Sequence, residues 1–312
     1  MVPKPQATPS YAAPLSNLVK ASTPMPKTIL VTGASSGFGR LICETLAGSG
    51  HTIFASMRDT AGKSRDHART LRDRGLNVVD LDVTQVETIE KAVAEILASQ
   101  GQIDVLINNA GVASAGVSEA FSDQQVADLF NVNVVGVHRV TRAVLPSMRK
   151  QRKGLVVNIG SILGRVTFPF FGLYGASKFA VEALSDSYRY ELSQLGIDVC
   201  LVQPSAYPTQ MYASAAQPVD LKTVDEYGET GKIPAAMFEH FMTMLSGADA
   251  PNPQDIADAV SGLVSQPFGD RPARVVVGAS FGAEEANAAM APLQANTIKA
   301  LGLGHLADLK TG

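Results

Sequence analysis

The chain has 312 residues, a formal net charge of -3, 46% hydrophobic residues and 18% charged residues. A length of this order buries a full core and suits one large domain, and a near-neutral balance without a dense basic block excludes a nucleic-acid binder. No apolar run approaches the ~18 residues of a transmembrane helix, so no membrane partner is expected. The charged fraction lies below the roughly 25% typical of soluble domains, which points to much interior or subunit interface and so to an oligomer. Cys43 and Cys200 fall inside apolar runs without ligand-like spacing and read as buried free thiols of a cytoplasmic, reducing compartment. The five histidines show no metal spacing either, and no metal site is expected.

Residues 1–26 hold prolines at positions 3, 5, 9, 14, 24 and 26 and no acidic residue, so they bury too little apolar surface to order themselves and read as a leader. Met25 is an alternative start. From there the pattern alternates. Short β-branched runs predict strands over 28–32, 52–56, 77–81, 105–108, 155–159, 199–203 and 274–277. Helical periodicity fills 37–47, 85–98, 123–149, 176–195 and 253–265. Seven strands separated by helices imply repeated βαβ crossovers, hence an α/β, doubly wound, mostly parallel sheet with helices on both faces over residues 27–280. Residues 205–250, rich in Met, Phe and Tyr, are too long for an ordinary connection and predict a lid, a packing hairpin being the alternative. Residues 281–312 form a C-terminal extension that adds an interface helix or covers a pocket.

Strand ends carry the first chemical signal. Thr32-Gly33-Ala34-Ser35-Ser36-Gly37-Phe38-Gly39 follows the apolar run 28–31 and opens a helical pattern, so backbone amides at that helix start would face a pyrophosphate. Asp82 and Val83 close the third strand, the carboxylate suiting an adenine amino group, and Asn109, Ala110 and Gly111 follow the fourth. The second strand decides between cofactors. An NAD site wants an acid at its end, whereas Met57 stands there and Arg58 follows, with Ser36 and Ser56 as possible hydrogen-bond donors, so NADP(H) is expected. A register one or two residues off would bring Asp59 to the ribose instead.

The second signal is Tyr174 and Lys178, four residues apart. On a helix they project from one face, and a cation beside a phenol favours phenolate and pulls its pKa down. With Ser161 and Asn133 upstream and the glycine motif, this set resembles the short-chain dehydrogenase/reductase family over roughly residues 28–210. The resemblance implies a Rossmann fold, with Tyr174 as general acid/base and Lys178 holding the nicotinamide ribose and lowering the tyrosine pKa. It makes Ser161 the group that orients the substrate oxygen and Asn133, rather than its neighbour Asn131, the anchor of a proton-relay water. Pro204 and Thr209 match the family's proline and its threonine that contacts the carboxamide or pyrophosphate, and the resemblance implies a homodimer or homotetramer through the long helices that contain Asn133 and Tyr174. Ser205 replaces the usual glycine and Tyr207 a small aliphatic residue, which implies a stiffer hinge and an altered pocket.

Physical chemistry gives these residues the same work, because hydride addition to a ketone builds charge on oxygen where Tyr174 and Ser161 supply a proton and a hydrogen bond. The expected activity is hydride transfer between NADP(H) and a small-molecule carbonyl or secondary alcohol. Apolar side chains in the lid and at Phe168, Phe170 and Phe171 point to a bulky apolar ketone. Two other readings compete. A catalytically silent NADP(H) sensor would share the cofactor motif, and Gly33-x-Ser35-x-Gly37 also fits a hydrolase nucleophile elbow, though on the first strand rather than after several others.

Overall fold

The computed structural model describes residues 26–247 and 249–310. The expected leader, apart from Pro26, and the alternative start at Met25 fall outside these described residues. Seven strands form one wholly parallel sheet: β1 (Thr28–Val31), β2 (Thr52–Met57), β3 (Asn77–Asp80), β4 (Val105–Asn108), β5 (Gly154–Ile159), β6 (Ile197–Pro204) and β7 (Arg274–Val277), in the spatial order β3-β2-β1-β4-β5-β6-β7. The doubly wound expectation holds.

Side chains alternate across each strand, and apolar residues on both faces explain why the strands read as unbroken apolar runs. Ile29, Val31, Val105 and Ile107 face one layer with Ile42 and Leu46 of α1 (Gly37–Gly48), Leu71 of α2 (Arg65–Asp73) and Val260 of α10 (Gln254–Ser265). Leu30, Leu106 and Val156 face the other layer. There they meet Ile89 and Ile96 of α3 (Val86–Gln100), Val144 and Met148 of α5 (Gly136–Gln151), and Leu192 of α6 (Gly172–Ser193).

The single helix expected over 123–149 is interrupted. Helix α4 (Asp123–Phe130) begins at a Ser122/Gln125 capping box, and a π-turn over Asn131–Val135 joins it to α5. The wider turn shifts the helical phase, and Asn133 within it is buried. The described residues of 205–250 form three helices, α7 (Gln210–Ala213), α8 (Leu221–Glu226) and α9 (Glu229–Leu245). Their stem is tied to the body by backbone hydrogen bonds from Ala216 to Ala113 at 2.9 Å and from Ala115 to Ala216 at 3.1 Å. The tail forms α11 (Ala283–Ala300) and returns to the end of α6, where the Lys310 amide donates to the Ser193 carbonyl at 2.9 Å.

Strand order reverses between β1 and β4, the place where ligands bind in such sheets. The structure closes that junction tightly. The Thr32 hydroxyl accepts the amides of Asn109 and Ala110, both at 3.0 Å, while Asn109 Nδ2 donates to the carbonyls of Thr32 at 2.8 Å and Gly33 at 3.1 Å. Gly33 has φ +68, and Gly39 leaves no space: a Cβ there would stand 2.3 Å from the Gly33 carbonyl and 2.4 Å from Asn109 Nδ2. Gly39→Ala is therefore expected to destabilise the fold by about 1–3 kcal/mol, the range for overpacking. Urea denaturation checks this, and a variant as stable as the wild type would mean that the loop yields freely.

Candidate active site

The carboxyl ends of β1, β4 and β5 and the first turns of α6 meet at one edge of the sheet. Helix α1 enters that edge with Ser36 making no side-chain cap bond and with no acidic residue in its first turn, so its leading amides stay available to an anion. Thr209 lies over this helix start, its Cβ 3.7 Å from the place a Cβ at Gly37 would take. Ser35 sits in the turn ahead of it. Phe38 instead faces away, its ring 5.7 Å from that of Tyr207 in an edge-on contact.

Asn133 is held from three sides. Its Oδ1 accepts the Val112 amide at 2.9 Å, and its Nδ2 donates to the Val112 carbonyl at 2.9 Å and to the Ser177 hydroxyl at 3.0 Å. Asn131 points elsewhere and accepts from Arg139 at 2.7 Å. Gly111 separates Asn133 from Lys178, since a Cβ at that glycine would lie 3.4 Å from Asn133 Oδ1 and 3.8 Å from Lys178 Nζ. Ser177, which ties the π-turn to α6, is a contact the sequence reading missed. Only its position beside Lys178 hinted at it.

Helix α6 starts at Gly172 and carries Tyr174 and Lys178 on one face, 5% and 7% exposed. Lys178 Nζ donates to the Ile159 carbonyl at 3.0 Å and lies 5.6 Å from the centre of the Tyr174 ring. The expected lowering of the tyrosine pKa is corrected here. Burial pushes the Tyr174 phenol well above its ordinary value of 10.0, the nearby Tyr212 adds to this, and only the hydrogen bond with Ser161 works downward. Lys178 is not among the groups that shift it; burial drives the lysine's own pKa from 10.5 down to about 8, and its ammonium donates to a backbone carbonyl. Ser161 is 8% exposed, and its Oγ accepts the Leu163 amide at 3.1 Å, which fixes its orientation.

Tyr174 and Ser161 lie at the inner wall of a cavity of about 970 Å³. Phe168, Phe170 and Phe171 line it from the body, and Met237, Phe238 and Phe241 line it from α9. Tyr212 of α7 lies edge-on to Phe241 with ring centres 4.8 Å apart. Phe281, ahead of α11, also reaches the cavity and packs edge-on to Phe168 at 5.5 Å. Tyr207 does not shape the pocket. It is fully buried beneath the excursion, with its hydroxyl 3.3 Å from Asp255 Oδ2 of α10, and its bulk is spent on anchoring the loop after Pro204.

At the adenosine end, β2 runs to Met57, paired with Asp80 of β3, and Arg58 follows at the surface. Asp59 has φ +54 and turns back on itself. Its amide donates to Asp80 Oδ1 at 3.1 Å and its Oδ2 accepts the Lys63 amide at 2.8 Å. Asp82 uses one oxygen on Thr84, at 2.8 Å to the amide and 2.7 Å to the hydroxyl. Val83 is buried against Gly136 at the start of α5. Ser56 is wholly buried with no partner for its hydroxyl among the described residues, which removes it from the surface where a 2'-phosphate donor was expected.

A parallel sheet with a glycine turn at its switch point and a tyrosine, lysine and serine at one strand edge defines a dinucleotide-dependent oxidoreductase fold. The family model for short chain dehydrogenases matches residues 27–220, and the chain belongs to that family. It is 40% identical over 187 residues to a 3-ketodihydrosphingosine reductase of Bacteroides thetaiotaomicron, a match covering 59% of this chain and 65% of the relative's length, just under two thirds. Human retinol dehydrogenase 8 is 31% identical over 249 residues, covering 77% of this chain and 78% of that one. A short-chain dehydrogenase from Streptomyces avermitilis superposes with a TM-score of 0.71 at 30% identity, covering 89% of this chain and 98% of its own. Among the described residues no helix is long and apolar enough to cross a membrane. Cys43 and Cys200 are both free and buried, and burial pushes the Cys200 thiol up to about 12.

The buried lysine makes stability depend on pH in a definite direction. The unfolded chain keeps the Lys178 proton up to about 10.5 while the folded chain releases it near 8, so the penalty of burying the charge is complete below pH 8 and fades as pH rises to 10.5. Wild type is expected to gain up to about 3 kcal/mol on Lys178→Met across that window, at 1.36 kcal/mol per pKa unit. Denaturant titrations of both proteins at several pH values measure this, and a constant difference would show that the ammonium is not penalised.

Proposed function

We propose that this oxidoreductase transfers hydride between NADP(H) and a bulky apolar ketone or secondary alcohol. The observation that carries the reading is the Tyr174 phenol and Ser161 hydroxyl at the wall of a mostly apolar cavity, whose few other polar side chains include Gln217, Glu239 and His240, with the Lys178 ammonium 5.6 Å from the centre of the Tyr174 ring. The cofactor, when bound, supplies the hydride. Gly33, Ser35, Ser36, Gly37 and Gly39 at the α1 start would hold its pyrophosphate, with Asn109, Ala110, Gly111, Pro204 and Thr209 lining the same groove. Asp82 and Val83 would serve the adenine and Lys178 the nicotinamide ribose. Phe38 supports the loop rather than the ligand.

Tyr174 keeps its proton at neutral pH because burial raises its pKa, and so it acts as the acid for an oxygen gaining charge. Ser161 donates to that same oxygen, and Asn133 holds the Val112 backbone beside Lys178. Arg58 supports NADP(H), since it is an exposed cation at the end of β2 and the nearest acid, Asp59, is engaged by its own turn. The substrates in the relatives' names, 3-ketodihydrosphingosine and retinol, are in keeping with a large apolar cavity. A homodimer or homotetramer completes the proposal, supported by the low charged fraction and by exposed apolar residues such as Val135 of the π-turn and Phe179 of α6; a cytoplasmic setting is in keeping with the two free thiols.

Two substitutions test the assignment. Tyr174→Phe is expected to lower kcat by about 10²–10⁴ with NADPH binding unchanged, because only the proton donor is lost. Turnover equal to wild type would sink the mechanism. Arg58→Ala is expected to raise the NADPH dissociation constant about tenfold or more, the worth of a charge-assisted hydrogen bond, and to leave NADH nearly untouched. Fluorescence titration with both nucleotides reads this, and an unchanged preference would place phosphate recognition elsewhere.

A further inference from the structure

A second cluster lies one turn further along the same face of α6, and the roles above leave it unused. Tyr174, Lys178 and Glu182 recur at intervals of four and share one stripe of the helix. Glu182 is 3% exposed. Its Oε2 receives the Arg165 guanidinium at 3.0 Å and Arg274 Nε at 2.8 Å, and its Oε1 accepts from Gln203 Nε2 at 2.5 Å. Arg274 also reaches Asp186 at 2.5 Å, and Gln203 Oε1 accepts from Asn287 Nδ2 at 2.7 Å.

These partners come from separate parts of the chain, and they do not line the cavity themselves; the lining residues Leu163, Ser205 and Phe281 lie within a few residues of Arg165, Gln203 and Asn287. Arg165 closes the short turn that Ser161 begins, with its amide donating to Ile162 at 2.9 Å. Gln203 belongs to β6 and Arg274 to β7, while Asn287 lies on α11, just after the cavity residue Phe281. The Ser161 turn also rests directly on α6. A Cβ at Gly164 would stand 2.9 Å from Glu182 Cγ and 3.0 Å from the Lys178 carbonyl. Burial pushes the Glu182 pKa up, and Arg274, Arg165 and Gln203 oppose it. Such a buried ionic cluster contributes little net stability compared with apolar packing, yet losing one member leaves uncompensated charge, so its value lies in the geometry it imposes.

We infer that Glu182 is a positioning residue for the reaction: its carboxylate, through Arg165, fixes the turn that presents Ser161 to Tyr174, and through Arg274 and Gln203 it joins that turn to the C-terminal wall of the cavity. The inference rests on the proposed role of Ser161 as the group that orients the substrate oxygen. Glu182→Gln keeps the shape and removes the charge. With active sites counted by NADPH titration, kcat for a bulky ketone is expected to fall about tenfold to hundredfold, as for small misplacements of a reacting group, while NADPH affinity stays within about twofold of wild type because the α1 turn is untouched.

A merely structural role would lower thermal stability and the active fraction but leave kcat per site alone. The sharper readout is a cycle with Ser161→Ala, in which Glu182→Gln should change kcat by less than about twofold because the group it positions is already gone. Equal losses in both backgrounds overturn the inference. If Glu182→Gln does not fold, Arg165→Met carries the test, since that side chain is 16% exposed and its loss cuts only the link to the Ser161 turn; an unchanged kcat overturns the inference there too. A wild type that binds NADPH but reduces no ketone overturns the proposed function and this inference with it. An active wild type indifferent to Glu182→Gln overturns this inference alone.

Discussion

The rest of the molecule depends on the clasp between β1 and β4. A parallel sheet whose strand order reverses leaves a gap between the two diverging connections, and that gap is useful only if its floor is rigid. Here one threonine hydroxyl and one asparagine carboxamide satisfy five backbone groups across the junction. The glycines fit around those bonds with no spare volume. The amides at the start of α1 are thus aimed by atoms that have no further freedom. The same clasp sets where Gly111 lies, and through Gly111 the separation of Asn133 from Lys178.

Helix α6 extends this order from the sheet edge to the cavity. One stripe of it carries a phenol, an ammonium and a carboxylate in succession, all withdrawn from water. In such surroundings desolvation outweighs mutual attraction, which is why the tyrosine holds its proton and the lysine loosens its own. Buried side chains at the next layer are linked to one another, although Asn108 Oδ1 has no partner among the described residues. Asn108 bridges to Thr141 and Asn158, and Asn158 passes the chain on to Ser185 of α6, so β4, β5, α5 and α6 share one buried hydrogen-bonded line.

Most of the fold was legible because the strands are apolar on both faces and the helices on one. Thr28–Val31 and Val105–Asn108 stand out in the sequence, and the structure places them within a residue of the expected bounds. The break in the long helix was not legible, since Asn131-Val132-Asn133-Val134-Val135 continues an acceptable helical pattern and a π-turn has no composition of its own. At the site, spacing brought Tyr174, Lys178 and Ser161 into one hypothesis, but it could not tell how far each is buried. For that reason the direction of the tyrosine pKa was misread. Tyr207 shows the same limit, because sequence marks a large residue at a position without saying which way it turns. Glu182 carried a readable signal, the i+4 step beyond Lys178, but nothing in sequence reveals that Arg165, Gln203 and Arg274 converge on it from other parts of the chain.

The cavity has two walls of different kinds. One is built on the sheet edge and on α6, where the reacting groups are fixed by buried hydrogen bonds. The other is the excursion of α7 to α9, which meets the body through a short backbone tether, the buried Tyr207 and a few surface contacts such as that of Tyr227 with Glu119. Mutational drift in the second wall reshapes the space offered to a ligand while the proton donor and its neighbours stay where they are. Descendants of this chain can therefore diverge in diet and keep one reaction.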